Sequence, residues 1–440
     1  MKWFFSALLL LISPAIIHAE SRDILSHFQA YMTVQEEYNS NIDLVPKNKR
    51  DDWITTVSPG LRFSTAPKSP VTGEFRLTPT AEEKYGMDLD FNAGFSFYAK
   101  EHEDNYTTLH GTLNAWYAST QKLNFRLRDY LIRSDEVRET DYSYTASEGQ
   151  YLPARTRKRA PYVRNVFEPS VQYQFGKEDA LAINYRNNIY EIQSRTSQDS
   201  VEHFINPRIT YWFDIRNGVS FEYGLTLGDF QLSPDLVGHM ATGRYTYRFN
   251  PRTTIFGDYT QLWRDFDPPS VDYVVYRPTL GIQHAFRATL NGAAQLGYFW
   301  QDPDRGSTTG GIFYNVSFTQ QAEKTTYTLS IQGGYQEDYF TSENLGFIKS
   351  HRAIGRITHQ PFKKMRLGLF SSYEWMKYPG MEIDGQKQKD QIWAVGGNAS
   401  YQLWRWVTLS LEASHRENHS NLEFADYSEY RGILRVTGTF

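Results

Sequence analysis

The final segment of the chain, residues 430–440, constrains the fold most, because its side chains alternate strictly between two kinds. One face is apolar and consists of Tyr430, Gly432, Leu434, Val436, Gly438 and Phe440. The opposite face is mostly polar and consists of Glu429, Arg431, Ile433, Arg435, Thr437 and Thr439. A period of two residues is that of a β-strand, so the segment predicts a strand whose two faces meet different surroundings.

An alternating strand that ends on an aromatic residue resembles the closing strand of a Gram-negative outer-membrane β-barrel, with Tyr430, Val436 and Phe440 as its terminal signal. The alternative is an ordinary strand at the end of a soluble β-domain. Composition favours the barrel, because aromatic residues make up 16% of the chain while the mean hydropathy is only −0.57. In a membrane barrel, every second strand residue faces lipid and the residues between face a polar lumen.

The N-terminal segment predicts a secretory signal peptide over residues 1–19. Lys2 gives it a basic start, residues 3–17 are apolar, and cleavage is expected after Ala19. We therefore expect residues 20–440 to form one barrel domain in the outer membrane of a Gram-negative bacterium. The chain has 0 cysteines, which excludes disulfides, cysteine nucleophiles and a lipidated cysteine anchor.

Alternating segments recur along the chain and are separated by connectors of two classes. Short connectors such as residues 176–179 and 250–252 alternate with longer, more polar connectors such as residues 134–164, 265–272 and 380–391. This asymmetry is typical of outer-membrane barrels, which have short periplasmic turns and longer external loops. The sequence thus predicts an all-β fold: a single transmembrane antiparallel up-and-down barrel of about 20 strands, with 18 as the fallback.

Two stretches near the start of the predicted barrel carry a family resemblance. Residues 34–42 read VQEEYNSNI, and residues 51–61 read DDWITTVSPGL. Together they resemble the opening hairpin of a family of outer-membrane β-barrel porins that are associated with exopolysaccharide-export or exosortase (PEP-CTERM) gene clusters. The resemblance implies a pore or an export role in the outer membrane, and it does not imply a substrate.

The apolar face of each segment is assigned to lipid; in residues 327–335 it is predicted to hold Tyr327, Leu329, Ile331, Gly333 and Tyr335. The opposite face is rich in arginine, and rings of arginine make a pore favour anions. The alternative is that these arginines pair with acids and brace the barrel wall. The candidate anion-facing lumen residues are Arg126, Arg128, Arg186, Arg208, Arg244, Arg248, Arg277, Arg356, Arg366, Arg431 and Arg435.

The longest predicted connector, residues 134–164, carries a basic run consisting of Arg155, Arg157, Lys158 and Arg159. The pattern of connectors predicts that this loop is external. It could fold inward and narrow a positive pore, or it could contact the phosphates of lipopolysaccharide. The third interpretation is a solvated run of charges with no specific contact.

The sequence therefore predicts a passive outer-membrane pore for export or passage of an anionic exopolysaccharide. The second hypothesis is a non-conducting structural or assembly barrel that partners an export complex, and the third is a lipid-modifying enzyme. No catalytic or phosphate-binding motif is recognisable, so no enzyme activity, cofactor or metal is expected. The expected partners are outer-membrane lipid and lipopolysaccharide, the barrel-assembly machinery, and an anionic polysaccharide or export complex, with no nucleic acid.

Overall fold

The computed structural model describes residues 27–65, 84–136, 138–139, 155–156, 159–194, 197–341, 344–383 and 385–440. The predicted signal peptide, residues 1–19, lies outside the described residues, as do Arg157 and Lys158 of the predicted basic run. Within the described ranges, no helix is both long enough and apolar enough to cross a membrane.

The described chain is almost entirely strand, with two short 3-10 turns at His102–Asp104 and Glu423–Ala425. The strands of the main sheet are β1 (Phe28–Asn39), β2 (Asp52–Ser64), β3 (Tyr85–Tyr98), β4 (Tyr106–Ala118), β5 (Leu123–Ser134), β8 (Tyr162–Gln174), β9 (Ala180–Ile192), β10 (Ser200–Trp212), β11 (Asn217–Phe230), β12 (Leu236–Asn250), β13 (Thr253–Phe266), β14 (Tyr273–Arg287), β15 (Leu290–Pro303), β16 (Thr309–Gln321), β17 (Thr325–Asp338), β18 (Gly346–Phe362), β19 (Met365–Ile383), β20 (Gln386–Trp404), β21 (Val407–Ser420) and β22 (Tyr427–Thr439). Two further strands, β6 (Arg138–Glu139) and β7 (Arg155–Thr156), form a separate small pair.

The main sheet is a closed 20-stranded antiparallel barrel, which confirms the predicted fold class and strand number. Each strand pairs with its neighbour in the chain, and β5 pairs with β8 across the connector that holds β6 and β7. The last strand returns to the first, so that Tyr31 stands opposite Thr439 and Asn39 stands opposite Arg431. Closure satisfies the backbone of both end strands, which a sheet inside a membrane requires.

Most connectors alternate in length as the sequence predicts, with short turns at one end of the barrel and longer loops at the other; the exception at the short-turn end is the connector of residues 65–84 between β2 and β3. One predicted loop is wrong. Residues 380–391 do not form a long loop, because β19 continues to Ile383 and β20 starts at Gln386. Gly385, directly before β20, has a positive φ of +74°, which tight hairpin turns favour.

The outward face of the barrel is apolar. Side chains such as Leu280, Leu296 and Phe440 stay 71%, 62% and 74% exposed, although all three belong to regular alternating segments. The three residues of the predicted terminal signal, Tyr430, Val436 and Phe440, share this outward face, and Ile433 on the opposite face is 4% exposed. Such a surface matches the lipid-facing band of a membrane barrel.

Replacing the outward Leu296 with arginine is predicted to destabilise the folded barrel in lipid vesicles by about 2–4 kcal/mol, because Leu296 lies near the middle of its strand. The matched control is Asn315→Arg on the inward face, where Asn315 stands opposite Gln295. Urea titration of vesicle-inserted protein measures both. Equal destabilisation by the two arginines would contradict the assignment of the faces.

Candidate functional site in the barrel lumen

Contacts between strands that are not neighbours identify the inside of the barrel, because such strands can meet only across the interior. Arg264 on β13 contacts Glu337 on β17, with Nη2 2.6 Å from Oε2. Gln295 on β15 donates to Asp258 on β13 over 2.8 Å. The polar face of the alternation is thus the lumen face, and it is the face on which the predicted arginines lie.

Several predicted lumen arginines are bound to carboxylates on neighbouring strands. The pairs are Arg128–Glu168 at 2.8 Å, Arg186–Glu202 at 2.6 Å, Arg244–Asp258 at 2.5 Å and Arg431–Glu37 at 2.6 Å. Arg186, Arg244 and Arg431 each reach both carboxylate oxygens of the partner. Two-point pairs of this kind are strong and directional, so these arginines brace the wall and their charge is neutralised locally.

Arg248 is paired at the short-turn rim of the barrel. It contacts Glu178 in the turn between β8 and β9, and its guanidinium carbon lies 3.6 Å from the ring centroid of Trp212. The hydrogen bond from Arg248 lowers the pKa of Glu178 below its ordinary value. This contact therefore ties a turn to the end of β12, and it leaves Arg248 without a free charge.

The other predicted lumen arginines have no carboxylate partner within the described part of the chain. They are Arg126, Arg208, Arg277, Arg356, Arg366 and Arg435. Arg435 donates instead to the side-chain oxygen of Gln35, over 2.8 Å from Nη2. All of them except Arg277 lie in the halves of their strands that are nearer to the short turns.

Three further lumen carboxylates lie in that same half. Glu222 stands opposite Arg208 in the sheet register and accepts a hydrogen bond from Asn206, Glu412 stands opposite Asn398, and Asp88 accepts a hydrogen bond from the Ser64 hydroxyl. Among the described residues, the five arginines of that half without carboxylate partners outnumber these three acids. The half of the lumen nearer to the short turns therefore carries an excess of positive charge.

The predicted basic run is only partly described, and its described side chain is not a free cation. The Arg159 guanidinium donates to the Tyr98 hydroxyl over 3.1 Å and lies 3.5 Å from Asp104. Arg50 from the first long loop joins the same network, and its hydrogen bonds to Asp43 raise the pKa of Arg50. Arg155 is described only as part of the β6–β7 pair. Arg159 therefore ties its own loop to two other loops.

The alternation of β17 breaks at Gly334, which the sequence does not predict. Gly334 has φ of +149°, and the pairing of β16 with β17 ends where Tyr314 meets Gly333. Beyond this point Tyr335 packs against Phe299 on the lumen side, with ring centroids 5.0 Å apart. The prediction that Tyr335 shares the lipid face of Leu329 is therefore wrong, because β17 separates from β16 after Gly333 and turns its later side chains toward the lumen, while its register with β18 continues.

The residues that follow Gly334 lie on the lumen side of the barrel wall. The Tyr273 hydroxyl donates to Glu337 over 2.5 Å, and Phe340 stacks on Phe230 with centroids 5.3 Å apart. Asn344 donates to the hydroxyl of Ser233 over 3.1 Å. The β17–β18 connector thus contacts the β11–β12 connector, several strands away, and it occupies part of the lumen at the long-loop end.

The sequence predicted many lumen arginines, but four carboxylates that pair with arginines were not predicted: Glu168, Glu178, Glu202 and Glu337. Glu168 and Glu202 have the parity of the lumen face, so a systematic listing of acids on that face would have found them. Glu337 could not have been found in this way, because the break at Gly334 changes its face. Among the described residues, no group of three or more His, Cys, Asp or Glu side chains could hold a metal ion.

Comparison with known proteins agrees with this architecture. The siderophore receptor PirA from Pseudomonas aeruginosa matches with a TM-score of 0.50 and 8% identity, over 94% of this chain and 80% of that chain. The ferric enterobactin receptor PfeA of the same organism, as an R480A mutant with enterobactin, matches at 0.50 and 7%, over 94% and 81%. The outer membrane protein opdK, also from Pseudomonas aeruginosa, matches at 0.43 and 10%, over 94% and 99%. At these identities the likeness concerns the fold alone.

A family model locates the chain more closely. No curated protein sequence matches the chain. Residues 234–440, from the β11–β12 connector to the end of the closing strand, match the model described as "Putative beta-barrel porin 2". The opening hairpin that suggested a porin family lies outside this range. The chain therefore has the fold of an outer-membrane β-barrel, and its residues 234–440 are similar to the putative beta-barrel porin 2 family.

Proposed function

We propose that this barrel is a passive outer-membrane pore that favours anionic solutes, and that its use is the passage of an anionic exopolysaccharide. The observation that carries the proposal is the set of lumen arginines without carboxylate partners near the short turns. No bond is made or broken in such a mechanism. Selection depends on the charge and width of the lumen.

The physical basis is electrostatic. A ring of arginine charges lowers the free energy of an anion in the pore relative to a cation of the same size. The low-dielectric protein wall around the lumen focuses this field, so a modest excess of charge is enough to bias passage. Arginines in wall pairs add little, because each is neutralised within 3 Å by its carboxylate.

A second candidate is favoured by a specific observation. The end of β17 and its connector occupy part of the lumen at the long-loop end, and Arg264 and Glu337 hold them there at 2.6 Å. If this element closes the passage, the barrel is a non-conducting structural or assembly component that partners an export complex. The neutral Arg–acid pairs of the wall suit such a role equally well.

The partners that we propose follow from two features of the closing segment: the outward apolar face of β22 and the terminal Phe440. The outward apolar face, with Leu434 and Val436 46% and 41% exposed, suits outer-membrane lipid and the acyl chains of lipopolysaccharide. The terminal Phe440 suits recognition by the barrel-assembly machinery during insertion. The location that we propose is the outer membrane, with the short turns in the periplasm.

Neutralising the unpaired arginines tests the pore proposal. In planar bilayers under a salt gradient, the refolded chain from Glu20 is predicted to give an anion-selective reversal potential. The triple variant Arg208→Gln, Arg356→Gln and Arg366→Gln is predicted to lose most of that selectivity, because these side chains have no carboxylate partner among the described residues.

The matched control is the double variant Arg186→Gln and Glu202→Gln, which removes a neutral pair and should leave the selectivity unchanged. Equal selectivity of the wild type and the triple variant would contradict the role of the arginines. Absence of current from protein shown to be folded would favour the non-conducting barrel instead.

Passage of an anionic polymer is tested by partial block of the ionic current. Oligomers of an acidic polysaccharide such as alginate, added on the short-turn side, are predicted to reduce the ionic current more than neutral dextran of equal length. The reason is the excess positive charge that the polymer meets in that half of the lumen. Equal block by both polymers, or block by neither, would count against polymer passage.

A further inference from the structure

Arg277 differs from the other lumen arginines in its surroundings. It lies on β14 at the long-loop half of the barrel, where the sheet register places Thr260 opposite it. Within the described residues it makes one hydrogen bond, from Nη2 to the Thr260 hydroxyl over 3.2 Å. A guanidinium has five N–H donors, so most of the donors of Arg277 are not used by the described residues.

Aromatic rings hold the Arg277 side chain in place. Its guanidinium carbon lies 4.7 Å from the ring centroid of Phe313 and 5.6 Å from that of Tyr335. Stacking of this kind uses the flat face of the guanidinium and leaves the N–H groups at its edge free. The stack therefore orients the donors, and it satisfies none of them with a hydrogen bond.

The inward end of β17 lies beside the Arg277 side chain. Tyr335, one residue after the break at Gly334, supplies the second ring. Two residues further on, Glu337 is held by Arg264 over 2.6 Å and by Tyr273 over 2.5 Å. Glu337 is thus engaged by Arg264 and Tyr273, and it does not neutralise Arg277.

We propose that Arg277, Phe313 and Tyr335 form a binding site for an organic anion that carries a carboxylate next to a flat ring. The free edge of the guanidinium would accept the carboxylate in a two-point contact, and the ring would pack beside Phe313 and Tyr335. All three side chains are partly buried and lie on the lumen side of their strands. The site goes beyond the proposed passage of a polysaccharide, because it would bind a smaller anion with an aromatic ring whether or not the barrel conducts.

Binding can be tested without any ion current, by saturation-transfer difference NMR on the refolded full chain in detergent. The probe is benzoate. Acetate has the charge without the ring, and benzyl alcohol has the ring without the charge. We expect benzoate to bind and the other two to bind at least tenfold more weakly.

Single substitutions at Arg277 and Phe313 test whether these residues bind benzoate. Arg277→Gln is predicted to weaken benzoate binding at least tenfold, since a charged two-point contact is lost. Arg277→Lys keeps the charge and should recover part of the affinity, and Phe313→Leu should reduce the preference for benzoate over acetate. The control Arg405→Gln removes a positive charge from a turn far along the chain and should leave the affinity unchanged.

Two results would overturn the site: no benzoate binding by the folded wild-type chain, or equal binding by Arg277→Gln. Neither result depends on whether the barrel conducts. If the bilayer experiment shows an anion-selective pore while benzoate ignores Arg277, the pore proposal stands and this site falls. If benzoate binds through Arg277 but no current flows, the binding site stands and the pore proposal falls.

Discussion

Pairing of the last strand with the first is the constraint on which the rest of this structure depends. The β1–β22 register, with Val34 opposite Val436, closes the sheet, so that every strand has two neighbours. Because side chains alternate with a period of two, this register also fixes which residues face lipid and which face the lumen. A slip by one residue would place Arg431 and Arg435 in the membrane, at a cost of several kcal/mol.

Once the faces are fixed, the arginines of the lumen divide into two groups. Those such as Arg186 and Arg244 are bound by a carboxylate on the next strand, and they contribute to the rigidity of the wall. Those such as Arg208 and Arg356 have no such partner in the described part of the chain, and they give one half of the lumen its charge. The same residue type thus serves structure in one place and electrostatics in another, according to what stands opposite it in the register.

The alternation of residues 430–440 was enough to predict a closing strand, and the connector lengths were enough to predict about 20 strands. Local departures from the regular alternation were not predicted from the sequence. The side chains of β17 change face after Gly334, and Gly385, with its positive φ, lies in a polar stretch whose composition predicts a longer loop. The pairing of Arg186 with Glu202 depends on register between strands, which alternation within one strand does not reveal. A resemblance to a porin family was predicted from residues 34–61, whereas the family model matches residues 234–440.

The central claim is that the arginine face lines water and the opposite face meets lipid. A cysteine scan tests it directly, because the chain has 0 cysteines of its own. Single cysteines at Arg208 and Arg356, and at their outward neighbours Ile209 and Ile357, are treated in vesicles with a charged thiol reagent. If the arginine face lines water, Arg208→Cys and Arg356→Cys are labelled rapidly, and Ile209→Cys and Ile357→Cys are not labelled. Protection of all four positions, or labelling of the isoleucine positions alone, would contradict it.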